Sequence, residues 1–114
     1  MKKIYKYLLI FFLLAVIIGT HSHYMIKRPA PVFYIPWLPG SLMAQTIPPL
    51  GIFIEKAYKD EGDAPGSILA HEKVHWMQYQ EMGLWNFYIT YWSGLVKEGR
   101  LYNDMEKDAR ERSK

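Results

Sequence analysis

"LAHEKVHWMQ", Leu69 to Gln78, decides how this chain is read. His71 and His75 lie four residues apart, one helical turn, so on a helix both imidazoles rise from the same face and can share one ion. Glu72 follows the first histidine and points beside the ion. There a carboxylate can take a proton from water that the ion has acidified and pass it to a leaving amine. The spacing fits a zinc clamp, with Glu72 as general base. Asp63 is a candidate N-cap for this helix, with Pro65 in the first turn, Met82 as the last residue and Gly83 as the stop. The alternative arrangement turns Ile68, Val74, Trp76 and Met77 to a core and leaves His71 and His75 on a solvated face.

A catalytic zinc site takes three protein ligands and an open position, so a third donor is required. Glu81, Asp104 and Glu106 are the available carboxylates. Glu81 lies six residues past His75, but a chain reversal there needs a glycine where this sequence has Gln78. On a continuous helix Glu81 sits about 240° around from His75 and reads as a surface charge. Glu106 belongs to "NDMEKDARER".

Together, His71-Glu72-Lys73-Val74-His75 and Glu106-Lys107-Asp108-Ala109 resemble the gluzincin metallopeptidases, in which HExxH on one helix is completed by ExxA on a later one. With Gln78 three residues after the second histidine, the stretch is also similar to small HExxHxxQ proteins of bacterial and phage genomes. The resemblance spans about residues 47 to 112. It implies His71, His75 and Glu106 as zinc ligands, Glu72 as catalytic base, and a peptide or protein substrate. Many gluzincins carry Asp after that Ala to support a liganding histidine; Arg110 stands here instead, leaving Asp108 or Asp104 for the role. Asn103 to Glu106 also has the form of a helix capping box, which needs no metal.

At 114 residues, half of them apolar, the chain has room for one small core. The absence of cysteine excludes disulfides and thiolate metal sites, so any metal falls to His, Asp or Glu. Three lysines at the start produce the net charge of +3; from Lys27 onward basic and acidic residues balance, which gives no footprint for nucleic acid.

"MKKIYKYLLIFFLLAVIIG" has the layout of a signal anchor or a signal peptide. The uncharged run continues to Ile26, enough for a full span, and Thr20 with Ser22 makes a poor cleavage site. A retained anchor over 1–28 is the expectation, single-pass, with secretion after cleavage as the alternative. Lys2, Lys3 and Lys6 against Lys27 and Arg28 favour a cytoplasmic N-terminus and a domain on the outer, periplasmic side. His21 and His23 then fall at the interface.

Residues 29–46 read as a proline-rich linker and 47–114 as a minimal zincin-like domain. "GIFIEKAY", Gly51 to Tyr58, is expected as an edge strand, paired with the stretch around Val32 to Ile35 and available to an extended substrate. After the motif helix comes an aromatic helix from Leu84 to near Gly99, suited to burial on one face and lipid or a partner on another, and a charged one over 103–112. The expected class is mainly α with a small β element. Tyr79, Tyr102 and Arg110 are candidate oxyanion supports. The competing function is a non-catalytic small membrane protein or pseudoenzyme, its metal structural or absent.

Overall fold

The computed structural model describes residues 2–40 and 42–114, with backbone alone for Arg100, Leu101 and Tyr102. In chain order they form α1 (Lys2–Met25), β1 (Val32–Ile35), β2 (Ala44–Ile47), β3 (Gly51–Glu55), a 3-10 turn over Lys56–Glu61, α2 (Ile68–Met82), α3 (Leu84–Tyr102) and α4 (Asp104–Arg112). This is the expected class, helices with a small sheet.

The sheet runs β1-β3-β2. Val32 pairs with Ile52 in a parallel ladder, and Ala44 pairs with Ile54 in an antiparallel one. Gly51 to Glu55 pairs with Val32 to Ile35 as expected but is central, not the edge strand expected, and β1 with all of β2 but Ile47 comes from the stretch that reads as linker. The prolines bracket β1 and β2 without entering them, so no ladder hydrogen bond is lost. A β-carbon at Gly51 would stand 2.6 Å from the Pro31 carbonyl oxygen, so only glycine lets β1 and β3 begin side by side.

Alternation along β3 turns Ile52 and Ile54 inward, where with Ala44 they pack on Leu69 of α2. Phe53 faces outward and stacks on Phe33, ring centroids 5.2 Å apart. The opposite flank of α2 supplies Trp76 and Tyr79 to a second cluster with Leu84 and Phe87 of α3, Met105 of α4 and Met25 of α1. The motif helix is thus clamped between sheet and helices, which fixes the side chains on its remaining face.

α2 begins later than Asp63 would have it. Gly66, with φ of 82°, breaks the path, and Ser67 is the cap, its hydroxyl accepting from the Ala70 amide at 3.1 Å. Asp63 instead pairs with Lys73 at 2.7 Å. The end falls as expected at Gly83, whose amide donates to the Tyr79 carbonyl. In α3 the regular path breaks at Gly99, again as expected.

After its three lysines, α1 is apolar from Tyr7 to Gly19 and exposed over almost all of that run, and the helix is long enough to cross a membrane; a signal sequence has the same features. Its last turn belongs to the domain. Tyr79 Oη lies 2.6 Å from Ser22 Oγ and donates to the Ser22 carbonyl at 3.1 Å, while Trp76 Nε1 donates to the Arg28 carbonyl at 2.9 Å. No flexible spacer separates α1 from the core.

Candidate metal centre

His71 and His75 project from one face of α2, ring centroids 5.0 Å apart. Glu106, from the first turn of α4, enters between them. Its Oε2 is 3.1 Å from His71 Nε2 and its Oε1 is 2.7 Å from His75 Nε2. The alternative arrangement, with both histidines in solvent, is not what forms: His75 is buried and Met77 is exposed.

The position of Glu106 follows from how α4 starts. Asn103 is the cap, its Oδ1 accepting from the Met105 amide at 2.8 Å and its Nδ2 donating to the Tyr91 carbonyl at 3.0 Å, which ties α4 to α3. Met105 and Ala109 are the buried positions of α4, and Glu106, beside Met105, is delivered to the histidines. In place of a capping box, the Asn103 side chain accepts from Met105 and not from the Glu106 amide, and the Glu106 carboxylate goes to the two histidines. Tyr91 of α3 adds a hydroxyl that donates to Glu106 Oε1 at 3.3 Å.

His71, Glu72 and His75 offer ligand atoms within 4.8 Å of one another, a group that could hold a metal ion. Glu72 and Glu106 are thus both within reach as third donor. Ligand atoms around a tetrahedral ion with bonds near 2.0–2.1 Å stand about 3.3 Å apart. Glu106 meets the His71 Nε2 at 3.1 Å, near that separation, and the His75 Nε2 at 2.7 Å, a hydrogen-bond contact. Glu72 is held aside: its Oε2 accepts from Thr46 Oγ1 of β2 at 2.5 Å. Two imidazoles and a carboxylate on one small volume fit a divalent cation, and the donor set alone does not choose which.

Behind His75 the support is complete. Its Nδ1 donates to Gln78 Oε1 at 2.8 Å, and Gln78 Nε2 donates to the Met105 carbonyl at 3.0 Å and to Asp108 Oδ2 at 2.8 Å. With the amide nitrogen committed to two acceptors, its oxygen must face the imidazole. A proton fixed on Nδ1 directs the Nε2 lone pair into the site. Asp108 thus stands behind His75 at one remove, through Gln78, and accepting from that amide is the chief reason its carboxyl is held low. Asp104 stays in solvent beside Lys107, and Glu81 pairs with Arg112 at 2.6 Å on the surface.

Electrostatics agree with the contacts. Burial pushes the Glu106 carboxyl up, but hydrogen bonds from His71 and His75 outweigh it and hold the group well below the usual range. Burial pulls His75 down, and Glu106, with the nearby charge of Glu72, more than reverses this, so its pKa lies above the ordinary histidine value. Among the described residues no buried side-chain nitrogen or oxygen lacks a partner.

The site opens onto a cleft of ≈ 470 Å³ lined by Ala44, Gln45, Glu72, Tyr91 and Arg110 as well as the ligand candidates. Of the oxyanion candidates, Arg110 lines this cleft. Tyr79 faces α1, and the side chain of Tyr102 lies outside the described residues. His21 and His23 are exposed on α1. Sequence reasoning missed Thr46 and Tyr91: neither lies in a motif, and each reaches the site only through tertiary contact. The chain matches no protein-family profile, no curated protein and no solved structure.

Proposed function

We propose that the protein is a membrane-anchored zinc metallopeptidase in which His71, His75 and Glu106 hold the metal and Glu72 is the general base. The observation that carries it is the Glu106 carboxylate meeting both Nε2 atoms, 3.1 and 2.7 Å away, while a second carboxylate waits beside them. Bound there, zinc supplies a Lewis acid that polarises a carbonyl and acidifies water.

The chain's own residues do the rest. Thr46 fixes one oxygen of Glu72, leaving the other to accept a proton from water and return it to the leaving amine. Gln78 keeps the His75 proton on Nδ1. Arg110, on the cleft wall, is assigned to the oxyanion. β2 is a marginal strand whose Ala44 and Gln45 line the cleft, so an extended peptide is aligned along it. The anchor is α1, with its lysines on the cytoplasmic side and the domain on the outer side.

A second reading has one observation in its favour: Glu106 satisfies both histidines as an ion triad without any metal. Glu72 separates the two, because a structural triad has no use for a second carboxylate positioned by Thr46. Glu72→Gln keeps the size and can still accept from Thr46. Assayed on an unstructured peptide, the variant is expected to retain zinc and lose on the order of 10²- to 10⁴-fold in turnover. Hydrolysis within a few-fold of wild type would remove Glu72 as base.

A further inference from the structure

A cleft of ≈ 640 Å³ separates the flank of α1 from the domain, lined on one side by Ile17, Ile18 and His21 and on the other by Ile47, Leu50 and Trp85. Ile17 and Ile18 belong to the uninterrupted apolar run of α1. Four residues later Ser22 is already bonded to Tyr79, and Met25 is in the core. There is no spacer in which the domain can stand off. Whatever faces Ile17 and Ile18 across the cleft shares their depth.

What faces them is apolar and continues outward. Leu50 is 54 % exposed and Trp85 58 %. From Trp85 the outer side of α3 carries Ile89, Trp92 and Val96, at 64 %, 58 % and 83 % exposure. These recur at the spacing of one helical face, and no charged residue occurs from Leu84 to Val96. The inner face of the same helix, with Leu84 and Phe87, is buried in the core, so the stripe is not the reverse of a core position. Tryptophan at the margin of an apolar surface is characteristic of the membrane–water boundary.

We infer that the base of the domain is docked on the bilayer: lipid fills the cleft between α1 and the Pro48–Leu50 turn, and Trp85 with the outer stripe of α3 lies in the membrane interface. This rests on the membrane role proposed for α1 and is independent of any peptidase activity. A second protein copy is the less economical occupant, since it too would have to enter the bilayer to reach Ile17.

The test uses the full chain in phosphatidylcholine vesicles whose acyl chains carry bromine, a quencher of tryptophan emission. α1 contains no tryptophan, so the anchor itself is silent. Wild-type emission is expected to fall by on the order of half, because two of the four tryptophans lie at the boundary. The double variant Trp85→Phe/Trp92→Phe is expected to lose most of that quenching while floating with the vesicles as wild type does. Equal quenching in both proteins overturns docking. So does emission from Trp85 and Trp92 that lipid leaves untouched, whether aqueous acrylamide reaches it or a concentration-dependent dimer shields it. A chain that floats unquenched defeats docking and leaves the anchor standing; one that does not float defeats both.

Discussion

Replacing Gln78 by methionine isolates the group that orients His75. Methionine keeps the length and apolar bulk but cannot accept from His75 Nδ1, nor donate to the Met105 carbonyl or to Asp108. Two consequences follow, and they are separable. The Met105 carbonyl loses a partner in the core, which costs stability of about 1–3 kcal/mol. The imidazole also loses the acceptor that fixes its tautomer, and metal affinity should fall about 10- to 100-fold, or about 1.4–2.7 kcal/mol. Asp108→Asn is the control: an asparagine oxygen still accepts from Gln78, and Asp108 touches no ligand directly, so affinity should stay within about threefold of wild type. Zinc affinity is read by competition with a chromophoric chelator on the full chain in detergent, with circular dichroism reporting the fold. A Gln78→Met protein that folds and binds zinc as tightly as wild type would refute the assigned role.

The metal-free chain should show a stability maximum in mild acid. His75 is raised above 6.5, so its contribution is complete below that value and is lost as pH rises through its folded-state pKa. Glu106 is lowered from 4.5, so its contribution is present above that value and lost as pH falls. Thermal unfolding with chelator should therefore show stability declining as pH rises above 6.5 and through the raised pKa of His75, whereas added zinc should reverse the slope because protons no longer compete for the rings. A flat chelator profile would contradict the His75–Glu106 pairing. Asn103→Ala removes the cap of α4 and its tie to Tyr91, which should cost about 1–2 kcal/mol in urea unfolding and weaken zinc binding as Glu106 loses its mooring. An unchanged unfolding midpoint would deny Asn103 that role.

Much of this architecture was legible because a few residues act locally. Gly83 and Gly99 end helical paths where expected, and the apolar run of α1 announces itself without tertiary information. The helix start was misplaced because Asp63 and Ser67 are both good caps, and only the path through Gly66 decides between them. β2 was invisible for a different reason: "AQTI" carries little strand signal, and it pairs because β3 presents a free edge to it. At the site, HExxH fixed two rings and a carboxylate by helical geometry alone. The convergence of Glu106 depends on the packing of α4, which the residues could only make plausible. Thr46, Tyr91 and the relay from Gln78 to Asp108 are purely three-dimensional neighbours, and no spacing rule could have found them.

The central claim is that Glu106 joins His71 and His75 around one cation. Zinc content of the full chain, purified in detergent with its α1 turn intact, tests it against Glu106→Gln, which keeps the side chain's shape and removes its charge. About one zinc per wild-type chain and a loss of about 100-fold or more in affinity for the variant are expected. Equal zinc in both proteins, or none in the wild type under saturating metal, would contradict it.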